Sequence, residues 1–230
     1  MSDPDRAPGP RRGPELGPLL GGVHGLSREQ VTESQRERLL AALVEQVAEH
    51  GFGAARVADV AGRASVSSRD FYAIFGSKEA CFLTALEAIL DHLRTLVDDA
   101  VDDGEPWPRQ IVASLRAVTD FFTAEPVVAC FCLVGSVSAT PAISARLREA
   151  VLLAAPYLRE GRVESKAAAA LADSTEDSLL GGVVFSASRA VMNGEDLGAR
   201  LPEFVEFLLS PYLGLEEARR YAADAPSGPR

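Results

Sequence analysis

Apolar residues recur along most of the chain at intervals of three and four, so they fall on one face of a helix. Stripes of this kind predict helices at residues 35–50, 78–101, 175–193 and 202–212. A further helix is expected to begin at Pro108, after a break at residues 102–108. Residues 127–137 are apolar nearly all round, which indicates a buried central helix. The pattern as a whole predicts an all-α fold.

Weaker signals fill the second half of the chain. Pro141 is placed to open a helix that runs to about residue 158, with a kink near Pro156. Residues 161–174 are rich in alanine and fit either a loop or a short helix. Gly181 and Gly182 lie in mid-helix, where each costs about 1 kcal/mol relative to alanine. Such glycines indicate the close approach of another helix.

The most informative stretch is residues 57–78, which predicts two short helices joined by a tight turn. Ser67 is a candidate N-cap of the second helix, and Asp70 three residues later completes a capping-box pattern. Phe71 and Phe75 share one face of that helix. A helix this short must dock by its apolar side. The opposite face then points outward, as in the recognition helix of a helix-turn-helix, and it carries Ser68, Arg69, Tyr72 and Ala73.

These elements divide the chain into a three-helix head at residues 34–80, a larger helical body at 81–216 and a flexible tail at 217–230. Residues 1–33 are rich in proline and glycine, which predicts a disordered extension. Its arginines allow two interpretations, a loose tail or an arm that reaches a DNA groove, and they are Arg6, Arg11 and Arg12.

A net charge of −10 over the whole chain opposes nucleic-acid binding, but the charge is unevenly distributed. Residues 34–82 carry six basic and six acidic residues, whereas residues 83–230 carry thirteen basic and twenty-two acidic ones. The excess of acid therefore lies in the body. A neutral head with a local basic face remains compatible with DNA, and it predicts modest non-specific affinity.

Composition points to an ordinary globular chain, with 47% hydrophobic and 24% charged residues. No signal peptide is expected from the N-terminal residues, and the longest nearly apolar run, residues 127–139, is too short to span a bilayer. The three cysteines have no metal-binding spacing, which favours a reduced, cytoplasmic setting. The three histidines are far apart, and no phosphate loop or nucleophile motif occurs, so neither a cofactor nor a catalytic function is predicted.

The stretch around the predicted turn resembles the DNA-binding signature of TetR-type (tetracycline-repressor-like) transcriptional regulators. The run begins at Val57, and its matching positions are Val60, Ala61, Val66, Ser67, Phe71, Tyr72, Phe75, Lys78 and Glu79. Three positions depart from that signature: Ser65 replaces the usual turn glycine, Asp70 a threonine before the aromatic pair, and Val57 a threonine that opens the first short helix.

Candidate DNA contacts follow from the recognition helix and from the resemblance. Arg69 is the one long donor on that helix, and it is a candidate for a bidentate guanine contact or for a phosphate contact. The resemblance implies phosphate contacts from Tyr72 and Lys78. Further candidates are the N-cap Ser67, Ser68, the backbone N–H of Ala58, and the outer arginines Arg36, Arg38 and Arg56.

The resemblance also implies a homodimer and a ligand-responsive body. The helices at 175–193 and 202–212 correspond to the pair that forms a four-helix bundle with a second subunit, although packing within one chain is an alternative. A cavity between body helices is expected to take a small apolar or aromatic effector. Its candidate lining residues, each of which also fits a plain core position, are Trp107, Phe121, Phe131, Tyr157, Phe185 and Met192.

The functional hypothesis is therefore a homodimeric, sequence-specific repressor released from DNA by an effector. One alternative is a regulator of the same fold controlled by a partner protein or by oxidation of Cys81, Cys130 or Cys132. Another is a helical carrier or enzyme that no longer binds DNA.

Overall fold

The computed structural model describes residues 28–225, and within this range the fold is entirely helical, as predicted. Twelve α-helices occur in this part of the chain. In order they are α1 (Arg28–Ala54), α2 (Val57–Arg63), α3 (Ser68–Phe75), α4 (Lys78–Ala100), α5 (Trp107–Ala124), α6 (Pro126–Cys130), α7 (Pro141–Leu152), α8 (Ala155–Glu160), α9 (Lys166–Ala169), α10 (Thr175–Met192), α11 (Leu201–Leu213) and α12 (Leu215–Ala223).

The head consists of α1, α2 and α3, packed around a shared apolar core. The α1 stripe buries Leu39, Leu43 and Val47, and these side chains join Val60 of α2 and Phe71 of α3 in one cluster. This cluster continues into the body, which explains how so small a head keeps a defined shape.

Helix α1 begins earlier than the sequence pattern indicated. It starts at Arg28, within the predicted extension 1–33, and the chain kinks at Gly51, whose φ of 78° is accessible to glycine at little cost. The first turns escaped prediction because they carry polar residues and no apolar stripe. Arg6, Arg11 and Arg12 lie outside the described residues.

Helix α4 connects the head to the body as a continuous 23-residue rod. The Ser77 hydroxyl caps its N-terminus by accepting the Ala80 N–H at 3.0 Å. Its first three turns bury Cys81, Phe82 and Leu86, and the Phe82 ring stacks on Phe131 of the body at 4.1 Å between centroids. The first turns of α4 therefore lie in the apolar core that the head and the body share.

The predicted buried helix at 127–137 takes a different form. Helix α6 is short and leads into a π-helical turn, Phe131–Gly135, while Val127 and Val137 are exposed. The turn packs against α1 so closely that a Cβ on Gly135 would lie 2.7 Å from Val47 Cγ1. The Ser188 hydroxyl of α10 donates to the Leu133 carbonyl at 2.6 Å. An uninterrupted apolar run carries no signal for this change of helix type.

The segment from α7 to α9 contains the two regions for which the sequence signals were weak, residues 141–158 and 161–174. The helix expected at 141–158 breaks at residues 153–154, ahead of Pro156, and continues as α8. The alanine-rich segment forms a 3₁₀ turn, Gly161–Val163, and the single turn of α9. A Cβ on Gly161 would overlap the Trp107 ring at 2.3 Å, so the tryptophan depends on glycine at this position.

A buried ion network anchors this segment to α10 and α11. The Glu176 carboxylate is fully buried and accepts two hydrogen bonds from Arg162, at 2.8 and 2.9 Å. The Tyr212 hydroxyl donates to the same carboxylate at 3.1 Å. The hydrogen bonds from Arg162 are the main cause that lowers the pKa of Glu176 to about 2.

The predicted flexible tail from residue 217 is instead helical through Ala223. Gly214, with a φ of 82°, ends α11 and lets the chain turn into α12. Helix α12 buries Ala218 and Ala222 against α11, and Ala225 beyond it is also buried. The helix was missed because its contact face consists of small alanines, which give no strong apolar stripe. Residues 226–230 lie outside the described part.

In the described range, no single helix is long and apolar enough to cross a membrane. The pair formed by α5 and the segment Pro126–Gly135 reaches that threshold jointly, but it bends by 108°.

Candidate nucleic-acid interface

The recognition helix α3 begins with the predicted cap. Ser67 Oγ accepts the Asp70 N–H at 3.1 Å and donates its own proton to Asp70 Oδ2 at 2.7 Å. These bonds confirm Ser67 as the N-cap, but Asp70 accepts from the Ser67 hydroxyl and not from its backbone N–H as in a capping box. Because a hydroxyl has one proton, the side chain of Ser67 has no donor left for a phosphate in this state.

Helix α3 docks by the aromatic face that the sequence predicted. Phe71 is fully buried and Phe75 half-buried, with ring centroids 5.6 Å apart. The opposite face is exposed along its length and consists of Ser68, Arg69, Tyr72 and Ala73. The Tyr72 side chain is 53% exposed, so its hydroxyl is accessible to a partner.

The turn between α2 and α3 is stabilised by a contact from Arg38 of α1. Ser65 has a φ of 55°, the left-handed region for which glycine is the usual residue. Arg38, predicted as an outer phosphate contact, instead directs Nη1 at the Ala64 carbonyl, 2.8 Å away. Its positive charge thus stabilises the C-terminal end of α2.

The remaining arginines of the head fall into two groups. Arg63 is held by Glu45 and Glu49 of α1, at 3.1 and 2.9 Å. Arg36 pairs loosely with Glu33 at 3.4 Å. Within residues 30–225, Arg56 and Arg69 are exposed and form neither an ion pair nor a side-chain hydrogen bond, which leaves both guanidinium groups available. Ala58 is exposed in the first turn of α2, next to Arg56.

Lys78, the first residue of α4, is engaged inside the head. Its ammonium donates to the Phe52 carbonyl at 2.6 Å and to the Ala55 carbonyl at 2.8 Å. It also lies 4.2 Å from the centroid of the Phe52 ring. Partial burial lowers the pKa of Lys78. The spacing of the sequence motif gave no sign of these contacts, because their acceptors are backbone atoms more than twenty residues away.

The six residues predicted to line an effector cavity do not surround one common space. Phe131 is fully buried in the shared core, whereas Trp107 donates from Nε1 to the Tyr157 carbonyl at 2.7 Å and packs against Tyr212. Phe121 is half-buried beside His92. The other three, Tyr157, Phe185 and Met192, are between 64% and 72% exposed. Large apolar residues alone cannot distinguish core, cavity and surface.

Phe185 and Met192 of α10 were predicted to line a cavity, but both lie on the surface of the described chain. We call Gly181, Phe185, Met192 and the neighbouring Phe207 of α11 the α10–α11 face. A Cβ on Gly182 would meet the Phe207 ring at 3.0 Å, so this glycine serves contact within the chain. Gly181 is exposed, and a Cβ there would meet nothing within 4 Å.

The chemistry of the described residues does not resemble a metal or redox centre. No group of three or more His, Cys, Asp or Glu in the described residues is placed to hold a metal ion. Burial raises the pKa of the Cys81 and Cys132 thiols to about 12, and it also raises the pKa of Cys130. Such thiols form little reactive thiolate, which argues against control by oxidation.

Comparisons with known proteins agree with this geometry. Residues 39–85 match the model of the bacterial regulatory proteins of the tetR family. No significant match was found among curated protein sequences.

Solved structures of bacterial regulators share the fold. The fatty acid degradation regulator FadR from Bacillus halodurans superposes with a TM-score of 0.65 at 17% identity, over 75% of this chain and 97% of that one. FadR from Bacillus subtilis in complex with stearoyl-CoA gives 0.65 at 15% identity, over 77% and 98%. A gamma-butyrolactone receptor, described as ArpA-like, gives 0.61 at 19% identity, over 84% and 96%. Residues 39–85 thus carry the DNA-binding motif of the tetR family of bacterial regulatory proteins, and solved structures of TetR-like transcriptional regulators share the fold around it.

Proposed function

We propose that the protein is a cytoplasmic, homodimeric repressor that binds a two-fold symmetric DNA operator and leaves it when a small apolar or aromatic effector binds the body. The observation that carries this proposal is the exposed face of α3, on which Arg69 lies with no partner among the described residues. A docked helix with an accessible guanidinium suits the major groove.

Within this proposal the residues of the head divide by role. Arg69 reads a guanine through its two parallel donors, and Ser68 contacts an adjacent base edge. Tyr72, Arg36 and Arg56 contact phosphates, together with the backbone N–H groups of Ala58 and Ser67. Phosphate contacts fix the orientation of the head, and the base contacts supply the sequence preference.

A dimer is supported by the α10–α11 face. Phe185 is 72% exposed and Met192 71%, a large apolar surface for a chain that remains alone in water. The bare backbone at Gly181 lets a second helix approach closely. Two chains joined here present two copies of α3, and a two-fold operator read in successive major grooves requires them roughly 34–36 Å apart.

The effector class is supported by the names of the similar structures, one of which holds stearoyl-CoA and another of which is a gamma-butyrolactone receptor. In our proposal the effector stabilises a body conformation in which the two heads no longer match the operator. Release then depends on how strongly the effector prefers that conformation over the DNA-bound one.

The test is a gel-shift titration with duplex DNA from the region upstream of the protein's own coding sequence, in the presence of excess competitor DNA. We expect competitor-resistant retardation with the wild-type protein. Arg69→Ala should weaken it by about 10- to 100-fold and relax the preference at one base pair. Arg148→Ala, an exposed arginine of the body, is the matched control and should bind like wild type. Absence of specific retardation by the wild-type protein, on this DNA and on duplexes selected from a random library, would refute the proposal.

A further inference from the structure

Lys78 joins three parts of the head at one point. It is the first residue of α4, and its ammonium reaches the carbonyls of Phe52, in the last turn of α1, and of Ala55, in the link to α2. The Phe52 ring lies beneath the ammonium and packs edge-on against Phe82 of α4, with centroids 5.5 Å apart. A single cation therefore fixes the end of α1 and the approach to α2 onto the start of α4.

The position of α2 depends on this point because only Arg56 separates Ala55 from its first turn. Helix α3 follows α2 after a short turn, so an error in the placement of α2 is passed to the recognition helix. The acceptors also lie at the C-terminal end of α1, where carbonyl groups lack helical partners and a positive charge is favourable.

The residue type fits this geometry. The chain contains 23 basic residues, and two of them, Lys78 and Lys166, are lysines. An ammonium is a compact charge with three donors, which suits two converging carbonyls, whereas the planar guanidinium suits phosphates and carboxylates. Two of the three donors of Lys78 are already used inside the head.

We infer that Lys78 is a positioning residue for DNA binding, which holds α2 and α3 in register with α4 through the carbonyls of Phe52 and Ala55 and neutralises no phosphate. This inference rests on the proposed DNA-binding function, and it assigns Lys78 a role different from the phosphate contact that the family resemblance implies.

The salt dependence of DNA affinity separates the two roles. Each phosphate neutralised contributes about 0.9 to the slope of log affinity against log salt. Using a duplex selected from a random library, we expect Lys78→Met to weaken binding about 10-fold or more while the slope stays within about 0.3 of wild type. Arg56→Met, at a proposed phosphate contact, should lower the slope by about 0.9. Lys166→Met, at an exposed position in α9, is the control and should change neither quantity.

A slope lowered by about 0.9 in Lys78→Met, or an undiminished affinity, would overturn the inference. Failure of the wild-type protein to bind any selected duplex would instead refute the proposed function. The engagement of Lys78 is tested without DNA or a variant by brief acetylation of the wild-type protein, followed by mass spectrometry. Lys166 provides the internal reference. The lowered pKa of Lys78 by itself favours acetylation, so a slower reaction must come from its contacts, and we expect Lys78 to react at least about 10-fold more slowly. Equal reactivity of the two lysines would show that the ammonium is free, and the inference would fail.

Discussion

Ser65 occupies the one described position at which a residue other than glycine has a positive φ. A side chain in the left-handed region costs about 1–2 kcal/mol. Glycine would remove this strain, but part of the gain would be offset because glycine increases the entropy of the unfolded chain. We therefore expect Ser65→Gly to raise the free energy of unfolding by about 0.5–1 kcal/mol. Ser65→Val should lower it by more than about 1 kcal/mol, because β-branched residues tolerate this region poorly.

Urea denaturation at a fixed protein concentration measures both variants. Since Ser65 is exposed and its N–H bonds to the Gly62 carbonyl at 3.1 Å, neither substitution removes a side-chain contact. Equal stabilities of the glycine and valine variants would contradict the backbone explanation.

Glu176 shows how a single buried charge makes stability depend on pH. Its pKa is about 2 in the folded chain and 4.5 as the ordinary value. A lowered pKa stabilises the folded state above pH 4.5, and this contribution is lost as the pH falls from 4.5 towards 2. In that window each pH unit should remove up to about 1.4 kcal/mol from the free energy of unfolding.

The variant Glu176→Gln should be less stable than wild type by about 3 kcal/mol at pH 7, because it leaves Arg162 without its anionic partner. The difference in the free energy of unfolding between the two proteins should narrow below pH 4, because protonation of Glu176 destabilises wild type there. Chemical denaturation across pH 3 to 7 gives both curves, and the exposed Glu164→Gln is the control. A constant difference at every pH would mean that the carboxylate charge is not the cause.

At the scale of elements, α12 is held by alanines. Ala218 is fully buried against α11, whereas Ala223 on the same helix is exposed. We expect Ala218→Glu to lower the free energy of unfolding by more than about 2 kcal/mol, because it places a charge in a tight helix contact. Ala223→Glu should change it by less than about 0.5 kcal/mol. If urea denaturation showed equal effects, α12 would not be docked as the structure describes.

Local sequence patterns predicted some features of the elements correctly and missed others. The long apolar stripe of α4, the Ser67 cap and the aromatic face of α3 are local features, and each was predicted correctly. The π-helical turn, the Glu176 network and the carbonyl contacts of Lys78 were not, because each depends on partners distant in sequence. Arg162 and Tyr212 lie 14 and 36 residues from Glu176, and no local pattern links them.

At the scale of the whole molecule, the α10–α11 face should determine the oligomeric state. We expect Phe185→Glu to convert a dimer into a folded monomer, because the side chain is exposed in one chain and would be buried between two. Leu153→Glu changes an apolar residue that is 58% exposed, outside that face, and should leave the dimer intact.

Light scattering after size-exclusion chromatography measures the mass of each variant. Circular dichroism tests whether the monomer keeps its helices. Operator affinity should fall when dimerisation is lost, because a single head makes half of the contacts. Dissociation by Leu153→Glu together with an intact Phe185→Glu dimer would place the interface elsewhere.

The close packing of α11 against α12 has a consequence during synthesis. A ribosome adds about 5–20 residues per second, so the head leaves it roughly 7–30 s before α12 does. During that interval α11 emerges with an apolar face that α12 later covers, including Leu201, Val205 and Leu209. The nascent body therefore exposes apolar surface of α11 until α12 has been made, at a time when the recognition helix is already complete.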